Sequence, residues 1–129
     1  MLLNFRNLLN LKRAAPESSA AQVQQLFAQG LALHHDRELE QARGIYEKVL
    51  EMQPGHFDAL HMSGVIAYQT GQFDRAVELI DKAIALEPDN ADAYYSRGIA
   101  QGYLGQFEAA VKSYDRAIAL KPAFAEAYN

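Results

Sequence analysis

The sequence has no cysteine and no tryptophan, and no apolar run approaches the roughly 20 residues that cross a bilayer. Without cysteine there is no disulfide framework, thiol nucleophile or thiolate metal site. This absence is compatible with a reducing compartment, and we expect a cytoplasmic location. Positive charge is also scarce, since the 12 Lys and Arg residues are outnumbered by 16 Asp and Glu residues. The sequence lacks the basic stripe of a nucleic-acid binder, and we expect no nucleic-acid partner.

An internal repeat organises most of the chain. Residues 71–88 read GQFDRAVELIDKAIALEP, and residues 105–122, one 34-residue step later, read GQFEAAVKSYDRAIALKP. Periodicity of this length is typical of stacked repeat proteins. Alignment of the recurring prolines divides the chain into these segments: 1–22, 23–56, 57–90, 91–124 and 125–129, the last being the start of a fourth unit.

Each full unit has the pattern of two amphipathic helices. Apolar residues recur at three- and four-residue steps, as in Ala76, Leu79, Ile80 and Ala83, which is helical spacing. Glycine at 71 and 105 is typical of a left-handed cap that ends the first helix, and a proline ends the second. The predicted helices are near 21–36, 39–53, 57–70, 73–86, 91–104 and 107–120, so the fold class is all-α.

Small residues are placed where two helices of one unit would touch. Glycine recurs on the first helices, and alanine follows twelve residues later on the second, as in Gly64 and Ala76. A small residue on each helix lets the axes approach closely. The same spacing gives the pairs Gly30 with Ala42 and Gly98 with Ala110, and we expect Tyr46, Ile80 and Tyr114 to fill the space beside the contacts.

This pattern resembles the tetratricopeptide repeat: a small residue at position eight of each unit, Ala at twenty, a bulky residue at twenty-four and Pro at thirty-two. The resemblance covers residues 23–124 without an insertion. It implies a right-handed superhelix of antiparallel helical hairpins, with three full repeats and the start of a fourth. It also implies that the first helices line a concave groove, which holds a peptide or protein segment.

Two features depart from the family pattern. Asp36 and Arg37 replace the Thr-Gly and Leu-Gly endings of the later units, so we expect the first helix of unit one to end less cleanly or to run longer. No polar capping helix is complete by Asn129, which predicts either a longer protein or a face buried by a second chain.

The resemblance implies a set of groove positions on the first helices. The corresponding residues are Phe27, Leu31, His34, His35, His61, Val65, Tyr68, Gln69, Tyr95, Ile99, Gly102 and Tyr103, with Asp58 and Asp92 on one rim. Such a lining favours a helix or extended peptide with apolar anchors and a Lys or Arg. The competing interpretation is that several of these residues, Leu31, Val65 and Ile99 above all, belong to the core between repeats.

The N-terminal segment is a candidate for self-association. Leu2, Phe5, Leu8 and Leu9 fall on one helical stripe, which predicts a short amphipathic helix over 2–13. Its basic residues follow the apolar stretch, unlike those of a signal peptide. It could cap its own repeats, dock on another protomer or lie weakly on a membrane surface. A homo-oligomer would form through this helix or through the uncapped C-terminal end. A hinge follows, and Ser18 or Ser19 is the expected cap of the first repeat helix.

The expected function is therefore binding, by a non-catalytic scaffold or adaptor that needs no cofactor. The histidines have no evident third ligand partner, so we expect no metal site, and no glycine-rich phosphate loop is present. Alternatively, the chain is the substrate-recruiting arm of a larger bacterial glycosyltransferase-like enzyme. HFDALHMSGVIAYQTGQFDRAVELI is similar to the N-terminal repeats of that transferase-like family, although Ala28, Met62 and Ser96 replace its asparagine ladder. The carboxylate clamp of heat-shock co-chaperones is also missing, since Phe27, Leu31, Met62, Asp92 and Ser96 occupy its positions.

Overall fold

The computed structural model describes residues 18–122, and within this range the chain forms six α-helices and no strand. The helices are α1 (Ser19–His35), α2 (Leu39–Met52), α3 (Phe57–Gln69), α4 (Phe73–Leu86), α5 (Ala91–Tyr103) and α6 (Phe107–Leu120). Each bound lies within two residues of the sequence-based prediction, and the all-α class is confirmed. The predicted N-terminal helix over 2–13, with Leu2, Phe5, Leu8 and Leu9, and the fourth unit at 125–129 lie outside the described residues.

The first helix of every hairpin ends in the same way. Gly71 and Gly105 adopt left-handed backbone, with φ of 84° and 76°. The following amide donates back to a carbonyl of the last turn, from Gln72 to Ala67 O at 2.8 Å and from Gln106 to Gln101 O at 2.9 Å. These bonds satisfy carbonyl groups that a helix end leaves unpaired.

The expectation of a ragged or extended end in unit one is wrong. Helix α1 ends at His35, in register with α3 and α5. Arg37 itself takes the left-handed conformation, with φ of 66°, and the Glu38 amide donates to Leu33 O at 2.9 Å. The same capping bond is therefore made with an arginine where the other hairpins use glycine. Helix α1 is longer at its other end, where Ser18 accepts a hydrogen bond from the Ala21 amide.

Within each hairpin the two helices meet at the predicted small residues. A Cβ added to Gly64 would lie 2.5 Å from Ile80 Cγ1, and one added to Gly30 would lie 2.5 Å from Tyr46 Cε1. Ala42, Ala76 and Ala110 are buried on the facing helices. The close approach predicted from the sequence is confirmed.

The hairpins then stack, and the second helix of each packs on the first helix of the next. Phe57, Leu60, Leu79 and Ile80 form one buried cluster that continues to Ala93 of the third hairpin. This stacking sets α3 beside α5. The C-terminal ends of α1 and α3 are joined by a hydrogen bond between His34 and Gln69. No helix among residues 18–122 is both long and apolar enough to cross a membrane.

Candidate partner-binding groove

The first helices present one shared face, which we call the groove face. It comprises Leu31 and His34 of α1, Val65 and Tyr68 of α3, and Tyr95, Ile99 and Tyr103 of α5. These residues recur at three- and four-residue steps along their helices, which puts them on one side of each. Hydrogen bonds join the helices edge to edge, from His34 Nε2 to Gln69 Oε1 at 2.9 Å and between His61 Nε2 and Ser96 Oγ at 2.8 Å.

The α3–α5 half of the groove face is a cluster of tyrosines. Tyr68 lies near Ser96, Tyr95 and Tyr103. Burial raises the pKa of the Tyr68 hydroxyl, and the neighbouring Ser96 hydroxyl partly opposes this. Tyr95 lies against Tyr114 of α6, with ring centroids 5.9 Å apart. The cluster is therefore held from behind by a second helix.

Tyr103 is the most accessible member of this cluster. Its ring stacks on Phe73 of α4, with centroids 4.7 Å apart and planes only 5° from parallel. Even so, 68% of the Tyr103 surface is exposed. One side of the ring is fixed by the stack, and the rest is available to another molecule. Sequence reasoning missed the role of Phe73, although the repeated Gln-Phe at 72–73 and 106–107 marks the position.

In the α1 half of the groove face, most side chains are held by contacts within the protein. Phe27 is half-buried, with its ring centroid 5.7 Å from that of Tyr46 and 5.0 Å from that of His56. His34 is held at both nitrogens, by Gln69 and by the Tyr46 hydroxyl at 3.3 Å. A neutral ring that donates from Nε2 and accepts at Nδ1 satisfies both bonds. Leu31 alone of these is an exposed large apolar residue, at 40%.

His61 is buried beside the groove face, with only 6% of its surface exposed. Burial lowers the pKa of the imidazole, and the nearby carboxylates of Asp92 and Asp58 partly oppose the shift. Both aspartates are exposed in the first turns of their helices. The rim beside a neutral, buried His61 therefore carries two negative charges.

The predicted groove residues thus fall into two groups. Tyr103 and Leu31 are exposed, Val65, Tyr68, Tyr95 and Ile99 are half-buried on the same face, and Asp92 lies on the rim. Phe27 and His61 pack or bond within the repeats, and His34 lies on the groove face with both ring nitrogens engaged by Tyr46 and Gln69. Among residues 18–122, no three metal-ligating side chains come close enough to share an ion.

Solved structures with a similar fold include a MamA RS-1 ArsTM double mutant, which is 28% identical with a TM-score of 0.72. That match covers 78% of this chain and 56% of the MamA chain. An O-GlcNAc transferase mutant from Thermobaculum terrenum is 26% identical with a TM-score of 0.79, over 80% of this chain and 20% of the transferase. The first tetratricopeptide domain of Spaghetti (RPAP3), bound to an HSP90 peptide, is 24% identical over 78% of this chain and 79% of that one, with a TM-score of 0.75.

No protein of curated function matches the sequence. Two family models, both described as tetratricopeptide repeat, match residues 26–101 and residues 91–124. The first match alone spans more than half of the 129 residues. The helical hairpins, their packing and the similar solved structures agree with the predicted superhelical repeat fold, and the chain belongs to the tetratricopeptide repeat family.

Proposed function

We propose that this chain is a non-catalytic scaffold that binds a peptide or helix of a partner protein along the groove face. The observation that carries the proposal is the tyrosine cluster of Tyr68, Tyr95 and Tyr103, which is fixed from behind and open in front. Rigid aromatic side chains supply large contact areas with little loss of entropy and often dominate binding energy.

The charges on the rim define the kind of partner. Asp58 and Asp92 are exposed at the N-terminal ends of α3 and α5. A partner with apolar anchors for the tyrosines and a Lys or Arg beside them would complement this surface. Peptides selected from a random displayed library against the full chain are therefore expected to combine apolar residues with basic ones.

Substitution of Tyr68 and Tyr95 by alanine tests the site. We expect the double variant to bind the selected peptides at least about tenfold more weakly by calorimetry, because truncation of central aromatic residues commonly has that effect. Met52→Ala is the control and should leave the affinity unchanged, since Met52 is a 41% exposed apolar residue on α2, outside the groove face. Circular dichroism checks that helicity is preserved. Equal affinity of the double variant and the parent chain would overturn the groove proposal.

The second candidate function is the substrate-recruiting arm of a larger glycosyltransferase-like enzyme. It is favoured by the similarity to the Thermobaculum terrenum transferase, of which this chain spans 20%. The coding sequence beyond Asn129 distinguishes the two. Further repeats and a catalytic domain would support the arm, whereas an early stop codon would support the free scaffold.

A further inference from the structure

A small cavity lies between α2, α3 and α4, with a volume of about 70 Å³. Its lining includes Arg43, Glu47, Ser63, Thr70, Arg75 and Leu79. Ser63 is two residues from both His61 and Val65, so it lies about 200° around α3 from them. The cavity is therefore separate from the groove face.

The Ser63 hydroxyl is buried and lacks a partner. The residue is 8% exposed, and its Oγ makes no hydrogen bond. Buried hydroxyl groups in native proteins are almost always hydrogen-bonded, because an unpaired one costs free energy. Something that enters the cavity and bonds to Ser63 would remove this cost.

The next repeat shows what fits in such a space. Arg97 stands at the position of Ser63, one 34-residue step later. Its Nε donates to Ser113 Oγ at 3.0 Å, and its guanidinium also donates to Asp81 Oδ1 at 3.1 Å. Asp81 in turn stands at the position of Glu47. Where the second and third hairpins meet, a guanidinium group thus bridges α4, α5 and α6, the three helices that correspond to the walls of the cavity.

Three charged side chains line the cavity, and the two arginines among them already form ion pairs with glutamates of their own helices. Arg43 pairs with Glu40 at 2.6 Å, and Arg75 pairs with Glu78 at 3.2 Å. Glu47 makes no ion pair with any residue in the described range 18–122. An unpaired carboxylate on the wall repels an anion and attracts a cation.

We propose that this cavity binds the guanidinium group of an arginine side chain from a partner protein. The planar head donates to the Glu47 carboxylate, as Arg97 does to Asp81, and a further N–H group donates to Ser63 Oγ. Guanidinium suits the site because it is a donor only and its fork matches a carboxylate. The chain would then hold partners at two separate places, the groove face and this cavity.

Methylguanidinium is the probe for this site, titrated into the full chain and followed by amide chemical shifts in NMR spectra. We expect saturable shifts at Ser63 and Thr70, and Glu47→Gln should weaken the apparent affinity about tenfold by removing the charged acceptor. Glu51→Gln is the matched control, because Glu51 is exposed one turn along α2 and does not line the cavity. It should leave the titration unchanged.

Ser63→Arg tests the proposal from within the chain. An arginine at this position should donate to Glu47 as Arg97 does to Asp81, with Leu79 in the place of the Ser113 acceptor. It should therefore occupy the cavity, abolish the titration and raise the melting temperature. If that variant does not fold, Glu47→Gln and Glu51→Gln decide the matter. Absence of saturable shifts, or an equal response in Glu47→Gln, would overturn the proposal. Equal binding of methylammonium, or binding of acetate at the same amides, would replace guanidinium by another ligand class.

Discussion

Gly64 lies where α3 packs closely against α4 in the second hairpin. A methyl group there would lie 2.5 Å from Ile80 Cγ1 and 3.3 Å from the Ala76 carbonyl oxygen. Ile80 is fully buried and β-branched, so it cannot rotate away. We expect Gly64→Ala to lower the free energy of unfolding by about 1–3 kcal/mol, measured by urea denaturation.

Gly44→Ala is the control for this change. Gly44 also lies inside a helix, but a Cβ there would meet no atom within 4 Å. Because alanine is the better helix former, the control should raise the free energy of unfolding by about 0.5–1 kcal/mol. A stabilising effect at both positions would show that helix packing does not require glycine at residue 64.

His61 makes the stability of the fold depend on pH. Burial lowers its pKa in the folded state below the ordinary value of 6.5, so the unfolded chain binds the proton more readily. The contribution of neutral His61 to the free energy of unfolding is therefore present above about pH 6.5 and is lost as the pH falls below that value. We expect the urea midpoint to fall between pH 7.5 and 5.5, and to fall less in His61→Gln. The exposed His35→Gln is the matched control, and an equal pH response in all three chains would contradict the assignment.

At the scale of the element, the turn after α1 is a strained version of the turns after α3 and α5. Arg37 has φ of 66°, where the other two hairpins place glycine. A side chain in left-handed backbone costs about 1 kcal/mol. Arg37→Gly should therefore raise the melting temperature, while Gly71→Ala, at φ of 84°, should lower it. Calorimetry that showed a lower melting temperature for Arg37→Gly would indicate that the arginine side chain stabilises the turn by contacts of its own.

Local signals predicted the elements because each helix end depends on a few adjacent residues. Gly71, Gly105 and the recurring prolines gave the helix bounds without reference to the rest of the molecule. The left-handed Arg37 could not be predicted in this way, since the packing of the hairpin imposes its conformation. The stack of Phe73 on Tyr103 was not predicted for a related reason, since the two rings belong to different hairpins. The cavity beside Ser63 could not be predicted either, because it depends on how the side chains of three helices pack together.

At the scale of the whole molecule, the two ends of the described stack differ. On α6, Phe107 and Val111 are exposed by 69% and 56%. The corresponding residue Phe73 is covered by α5, through its stack with Tyr103. The side of α1 at the opposite end carries exposed glutamines, such as Gln25 and Gln29. The apolar end is thus a candidate surface for self-association, in addition to the N-terminal segment.

Self-association should appear as a solution mass above the 14.4 kDa of one chain, falling on dilution in light-scattering measurements. A negative charge at an apolar contact disfavours it strongly, so Phe107→Glu should yield the monomer mass if two copies meet through α6. Removal of residues 1–16 should do so instead if the segment with Leu2, Phe5, Leu8 and Leu9 crosses between protomers. Ala119→Glu controls for the added charge, since Ala119 is exposed on the same helix and lies outside the patch of Phe107, Val111 and Lys112. A mass of one chain for every form, at all concentrations, would exclude self-association and leave the groove face and the cavity beside Ser63 as the proposed partner sites.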